Sequence, residues 1–286
     1  MMKKKEFVTF ETAWCPGCGD FAILEALKET MEEMGKEPHK VLVVGGIGQA
    51  AKTPQYINAN GFESLHGRAL PPAAAAKIAN HELTVIIDTG DGDSYGEGGN
   101  HFMHNIKRNV NMTHFVHDNQ IYGLTKGQSS PTSELGHVTD FTPNGVNTLP
   151  INPMVAAIGL GCGFVARAFS GDKEHLKSIM KEAINYNGYA LVDILQPCVT
   201  FNKLNTYAWY KKRVYNIDAD ASYNPTDKIA AFTKALEWGD KIPTGVIWRE
   251  DRDSYTDKIP FLKEAPLVDL PVETEVIKGF LQEFMK

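Results

Sequence analysis

Two groups of side chains in this 286-residue chain are of types and spacings that can do chemistry. Near the amino end, Trp14-Cys15-Pro16-Gly17-Cys18-Gly19-Asp20 sets two cysteines two residues apart. Such a pair supplies two of the four protein ligands that a structural zinc or an iron–sulfur cluster normally needs. In mid-chain, Gly90-Asp91-Gly92-Asp93 follows the apolar run 84–88, and Asn119 follows the next such run, 113–117. One helix and one strand separate Asp91 from Asn119, so both side chains are expected at neighbouring strand ends. A carboxylate and an amide oxygen placed together suit Mg2+, which takes hard oxygen ligands and completes its shell with phosphates and water. The flanking glycines let the backbone approach an anion closely.

The elements that must position these groups can be read from apolar patterning. Runs at 41–44, 84–88, 113–117, 164–169 and 190–195 are rich in Val, Ile and Phe and predict strands. Segments 21–34, 72–80, 100–109, 153–160 and 173–187 have the spacing or length of helices. This alternation predicts an α/β fold: a parallel sheet flanked by helices, with the ligand at the carboxyl ends of the strands. Gly- and Ser-rich segments follow three of those strands, at 45–51, 90–100 and 123–133, and are expected to build the binding face. The alternation fades after Phe201, so residues 1–200 are expected to form the binding domain. Residues 201–286 are read as an extension wrapping that domain or a partner.

Bulk properties limit the function classes. With 43% hydrophobic and 22% charged residues the chain can bury a full-sized core. A net charge of −6 argues against nucleic acid as the main partner, and Lys3-Lys4-Lys5 reads as a solvated end. Neither a secretory apolar region nor a membrane-spanning run is present, so no membrane association is expected. Four cysteines, at 15, 18, 162 and 198, then suggest thiols or metal ligands in reducing cytoplasm rather than disulfides.

The stretch GDGDSYGEGGNHFMHNIKRNVNMTHFVHDNQIYGLTKGQSSPTS, residues 90–133, resembles the thiamine diphosphate motif of the β subunits of 2-oxoacid:ferredoxin oxidoreductases, the pyruvate and 2-oxoglutarate ferredoxin oxidoreductase family. WCPGCGD, HGRALP (66–71) and ILQPCVTFN (194–202) extend the resemblance, in order, over roughly the first two thirds of the chain. The resemblance implies a thiamine diphosphate-binding fold of the diphosphate-binding type. It implies Mg2+ held by Asp91, Asn119 and the backbone carbonyl of Ile121. Gly48, Gly90, Gly92 and Asp93 would lie at the cofactor, with Gly123, Leu124 and Thr125 lining the pocket. His66 would stand near the cofactor as a polar group, Leu124 beside the reacting centre, and Lys52 would help recognise the 2-oxoacid.

The implied reaction is coenzyme A-dependent oxidative decarboxylation of a 2-oxoacid, with electrons passed to ferredoxin. It requires a pyrimidine-binding domain carrying an activating glutamate, expected on an α subunit in an (αβ)2 or larger assembly. Cys15, Cys18 and Cys198 would be ligands of a [4Fe–4S] cluster. The family usually supplies a fourth cysteine where this chain has Gln49, in Gly46-Ile47-Gly48-Gln49. An amide oxygen is a poor soft-metal ligand beside a thiolate. Three outcomes follow: a non-cysteine fourth ligand, a three-iron or labile cluster, or no cluster and cysteines that only pack the loop.

Competing readings are weaker. Gly46-x-Gly48-x-x-Ala51 outlines a dinucleotide fingerprint, but the sequence beyond it is broken by Pro54 and lacks the second apolar strand that should end in an acidic residue. His101 and His104 share helical spacing without a metalloprotease motif, and Cys162, just before a strand, reads as a buried thiol at the far edge of the sheet. The loop from Lys126 to Thr132 is either substrate-facing or a capped turn. Two other function classes stay open: a cluster-free thiamine-dependent decarboxylase subunit, and a non-catalytic metal-knuckle interaction module.

Overall fold

The apolar runs become the centre of one eight-stranded sheet. The structure, a computed structural model, describes residues 7–263, 265–271 and 273–285. The strands are β1 (Val41–Gly45), β2 (Asn60–Glu63), β3 (Thr84–Gly90), β4 (Met112–Asp118), β5 (Ile121–Tyr122), β6 (Gln128–Ser129), β7 (Phe164–Phe169), β8 (Tyr189–Leu195), β9 (Val214–Asn216) and β10 (Ile242–Arg249). Their order in the large sheet is β2-β1-β3-β4-β8-β7-β10-β9, and β5 and β6 form a separate small hairpin. Every pair in the large sheet is parallel except β7 with β10. β4, β7 and β8 are buried along their whole length, as strands covered on both faces should be.

The helices are α1 (Gly19–Glu33), α2 (Thr53–Tyr56), α3 (Leu70–Ala79), α4 (Gly99–Arg108), α5 (Pro153–Gly159), α6 (Lys173–Asn185), α7 (Tyr207–Lys211), α8 (Lys228–Ala235) and α9 (Thr274–Phe284). Successive strand residues point to opposite faces and so divide the core in two. Ile86 and Phe115 pack with Ile23 and Leu27 of α1 and with Leu176 and Ile179 of α6. Val85, Ile87 and Val116 pack with Ala73 of α3, Ile106 of α4, Ile158 of α5 and Ala231 of α8. The spacing of Leu176, Ile179, Met180 and Ala183 gives α6 one continuous apolar stripe, and Asp172 caps its start by accepting from His175 N.

Two features differ from the sequence expectation. The edge strand β2 is polar and exposed, Asn60-Gly61-Phe62-Glu63, and is held by its ladder to β1 instead of by a buried face. The segment beyond residue 200, read as an extension, adds strands to the sheet that were not expected. β10 lies antiparallel against β7 with Ile242 to Trp248 buried, and β9 pairs with β10. The segment after β10 wraps the sheet's amino-terminal side. There Tyr186 Oη donates to Glu250 O at 2.7 Å and Arg252 donates to Ile106 O at 2.9 Å.

Cys162 sits at that amino-terminal side with no exposed surface, its thiol directed at the carbonyls of Phe164 and Tyr189, 3.2 and 3.5 Å away. Burial pushes the thiol up to about 12, so it is neither nucleophile nor ready ligand. In the folded metal-free chain a thiol reagent should modify exposed Cys15 and leave Cys162 untouched until denaturant is added. Peptide mapping that found Cys162 labelled under native conditions would contradict this placement.

Candidate active site

The register of the sheet brings four loops to one edge. Gly45 at the end of β1 pairs with Asp88, Gly90 at the end of β3 pairs with His117, and Asp118 at the end of β4 pairs with Leu195 at the end of β8. The loops after β1, β3 and β4 meet around a cavity of about 70 Å3. Gly48 and Gln49 come from the first loop, Gly90 to Asp93 from the second, and Asn119, Ile121, Gly123, Leu124 and Thr125 from the third, with His66 closing one side. The residues singled out in sequence thus converge, apart from the cysteines and Lys52. Lys52 ends the short 3-10 turn Ala50–Lys52 and lines neither this cavity nor the neighbouring one bounded by the cysteines.

Asp91 is buried, and burial pushes its carboxyl up to about 6 against the hydrogen bonds it receives. The Thr132 hydroxyl lies 2.6 Å from Asp91 Oδ2 and 2.9 Å from Asp118 Oδ1. A hydroxyl has one proton, which can serve only one of these carboxyls at a time. Burial, with the neighbouring charges of Asp193 and Asp91, holds Asp118 well above the usual carboxylate range. Asn119 Oδ1 accepts from Ile121 N at 3.0 Å, which folds the turn that carries the Ile121 carbonyl. A carboxylate, an amide oxygen and a backbone carbonyl on one cavity wall are a donor set that fits Mg2+.

Asp93 lines the cavity and also braces it. Its Oδ1 accepts from Gly67 N at 2.7 Å and Ile47 N at 3.1 Å, so it joins two loops at the cavity wall. The brace depends on Gly46, since a Cβ there would overlap the Asp93 carboxylate. Gly92 is required in the same way by the ring of Tyr122. The segment Gly92–Glu97 is a π-helical turn, a widened form that recurs at functional sites. It carries Glu97 to within 3.2 Å of His66 Nδ1, and the Glu97 carboxylate accepts from the Tyr122 hydroxyl at 3.1 Å. His101 and His104 lie further along on α4 and do not line the cavity.

The loop after β8 adds a second, smaller cavity of about 30 Å3, with Cys15, Cys18 and Cys198 on its walls. Gln49, Asn119 and Gly123 line both cavities. Trp14 Nε1 donates to Gln49 O at 2.9 Å, tying the cysteine turn to the β1 loop. Cys18 Sγ donates to Asp20 Oδ2 at 3.2 Å and accepts from Gln196 Nε2 at 3.3 Å. Among the described residues no three His, Cys, Asp or Glu side chains are grouped to hold a single metal ion. Three cysteines spread around one cavity fit a multi-iron cluster, whose thiolates bind different iron atoms, better than they fit one zinc ion.

Beneath both cavities lies a buried ionic clasp that sequence reasoning missed. His117 Nδ1 is 2.7 Å from Asp20 Oδ1, and its Nε2 is 2.6 Å from Asp88 Oδ1. Burial alone would lower the imidazole pKa, but the two carboxylates outweigh it and push the value up to about 10. The sequence signal was an ionisable residue inside each of two apolar strands, TVIID and THFVHD, where a side chain pointing to the core must find a charged partner. Thr132 and Gln196 carried no comparable signal.

The clasp makes stability depend on pH. The folded-state pKa is raised above the unfolded value of about 6.5, so the contribution is complete below about pH 6.5 and is lost as pH rises through about 10. Urea titrations from pH 7 to 10 should show stability falling, and His117→Gln should remove that slope while lowering stability at pH 7 by about 3–5 kcal/mol. A variant with the wild-type slope would contradict the charged imidazole.

Comparison with known proteins agrees with this geometry and places the chain. Residues 42–194 match the family model described as thiamine pyrophosphate enzyme, C-terminal TPP binding domain. Residues 198–264 match the model for the C-terminal part of the pyruvate ferredoxin oxidoreductase beta subunit. The chain is 43% identical over 276 residues to a 2-oxoacid:ferredoxin oxidoreductase subunit beta from Saccharolobus solfataricus, covering 93% of this chain and 90% of that one. It is 43% identical over 201 residues to 2-oxoglutarate oxidoreductase subunit KorB from Mycobacterium tuberculosis, covering 70% of this chain and 54% of that one. Its fold superposes with a TM-score of 0.90 and 33% identity on a 2-oxoglutarate:ferredoxin oxidoreductase from Magnetococcus marinus solved with 2-oxoglutarate, coenzyme A and succinyl-CoA bound, covering 98% of this chain and 97% of that one. A mostly parallel sheet with its ligand loops at the carboxyl edge, and the match to the Saccharolobus subunit along nearly its whole length, make this chain a member of the 2-oxoacid:ferredoxin oxidoreductase β-subunit family.

Proposed function

We propose that this chain forms the diphosphate-binding half of an active site that oxidatively decarboxylates a 2-oxoacid, passing electrons to ferredoxin and the acyl group to coenzyme A. The observation that carries the reading is the convergence of Asp91, Asn119 and the Ile121 turn on a glycine-lined cavity at the sheet's carboxyl edge. Bound there, thiamine diphosphate would supply the electron sink that loss of CO2 requires.

The chain's own residues hold and orient. Asp91 and Asn119 offer oxygens to Mg2+, with Thr132 keeping the Asp91 carboxylate in place. Gly48, Gly90 and Gly92 allow close backbone approach to the diphosphate. Leu124 and Thr125 face the reacting end, and His66, beside Glu97, offers a polar ring there. Lys52 does not line the cavity, so a role in recognising a substrate carboxylate would be exercised outside it. Cys15, Cys18 and Cys198 are read as ligands of an iron–sulfur cluster one wall away from the cofactor.

No glutamate lines the cofactor cavity among the described residues. The activating glutamate is therefore assigned to an α subunit that bears the pyrimidine-binding domain, in an (αβ)2 or larger assembly in reducing cytoplasm. Exposed Ile47, Leu65 and Leu124 around the mouth support a covering partner, Leu65 being 63% exposed. Relatives named for 2-oxoglutarate, and the neighbour solved with it, make 2-oxoglutarate the first substrate to test, beside pyruvate. Gln49 keeps a second reading open, a cluster-free decarboxylase, which would release aldehyde instead of acyl-CoA.

Two measurements test the proposal. The chain alone, given thiamine diphosphate, Mg2+, coenzyme A and an acceptor, should turn over no 2-oxoacid, whereas the complex with its partner should form acyl-CoA. Robust turnover by the isolated chain would refute the half-site. Thr132→Val should weaken Mg2+-dependent thiamine diphosphate binding by about 10–100-fold, the range for losing a support to a metal ligand, with Thr132→Ser close to wild type. Calorimetry on the complex distinguishes these outcomes from a loss of fold.

A further inference from the structure

Three thiols leave an iron–sulfur cluster one protein ligand short. The cysteine cavity has several other polar side chains on its wall, and their existing partners discriminate among them. Asp20 is committed to His117 and Cys18. Asn119 Oδ1 accepts from Ile121 N and is assigned to Mg2+ in the cofactor cavity. Gln196 Oε1 is also buried without a donor, but its Nε2 reaches Cys18 Sγ and Pro197 O, which directs its amide N–H groups, not its oxygen, toward the sulfur. Gln49 differs in that it stands on the wall shared with the cofactor cavity and its amide N–H groups are not drawn to a cysteine sulfur. Its backbone oxygen is pinned by Trp14, while its side-chain Oε1 is buried with no hydrogen-bond donor. A buried acceptor without a donor is costly unless an ion or water completes it.

We propose that the Gln49 carboxamide oxygen is the fourth ligand of the cluster, bound to one iron that is exchangeable, with Cys15, Cys18 and Cys198 holding the other three. This rests on the reading of those three cysteines as cluster ligands. The chemical consequence follows from ligand type. A neutral, hard oxygen holds iron more weakly than a thiolate, so that one iron is lost first on oxidation. Replacing a thiolate by a neutral ligand also makes the cluster one unit less negative, which favours its one-electron reduced form and raises the potential at which it takes each electron. Gln49 would thereby set which acceptor the complex can reduce, as well as the cluster's durability.

The test uses the αβ complex prepared anaerobically as wild type, Gln49→Cys and Gln49→Ala. Iron and sulfide are counted, and electron paramagnetic resonance is recorded after mild ferricyanide oxidation and during a redox titration. Signals missing from a Cys18→Ser complex are assigned to this site. Wild type should convert on oxidation to a three-iron signal that Fe2+ with reductant reverses. Gln49→Cys should keep four irons and reduce at a lower potential, and Gln49→Ala should show the three-iron form before any oxidant is added. The inference is overturned if wild type resists oxidation and titrates with Gln49→Cys, or if Gln49→Ala behaves as wild type. It is also overturned if only Gln49→Cys holds iron, a result that would leave the three-cysteine site standing. Iron in neither wild type nor Gln49→Cys would instead remove the cluster reading itself, and this inference with it.

Discussion

An imidazolium held between two buried carboxylates fixes the geometry on which the rest of the site depends. His117 joins Asp88 of β3 to Asp20 at the start of α1, so it connects adjacent strands to the helix that succeeds the cysteine turn. Asp88 lies three residues before Asp91, and His117 two before Asn119. One ionic contact therefore sets the mutual position of the proposed magnesium ligands and the proposed cluster ligands. Such a group is costly to bury, and a well-packed apolar substitute can match its stability. Its value here lies in register: a one-residue slip of β4 would turn His117 to the other face and leave both carboxylates without a partner.

Above the clasp, the cavity is shaped by deleted side chains as much as by present ones. Gly46 makes room for the Asp93 carboxylate, and Gly92 makes room for the Tyr122 ring. Asp93 then holds the β1 loop and the His66 turn together through two backbone N–H groups. Charged hydrogen bonds of this kind are stronger than neutral ones, and they act on loops that have few apolar contacts of their own. The floor of the site is thus ionic, its walls are braced by one carboxylate, and its mouth is apolar and open.

Much of this was legible in the sequence because the central strands are continuous apolar runs between recognisable turns, and because glycine, Asp91 and Asn119 fall where strands end. The strand β2 was not legible: Asn60 to Glu63 bury no apolar face, and pairing with β1 is what orders them. β9 and β10 were missed for another reason. β10 begins Ile242-Pro243-Thr244-Gly245, and Pro and Gly argue against a strand, yet it pairs antiparallel at β7 with a register shift between Val246 and Trp248 that absorbs the irregularity. Cys198 could be matched to the amino-terminal pair by resemblance, but spacing alone could not bring it there. The fold does so, because β8 ends beside β4. The clasp, Thr132 and Gln196 join residues distant in sequence, and single-residue types do not announce such pairings.

The two cavities share Gln49, Asn119 and Gly123 as a common wall. That wall has a consequence for how the protein can change over generations. A substitution in it is judged twice, once by the cofactor and once by the cysteine site, so neither can be optimised alone. Variation at Gln49 is then informative about descent in a way that variation at an outer loop is not, since any replacement tolerated there has to fit the walls of two cavities with one side chain.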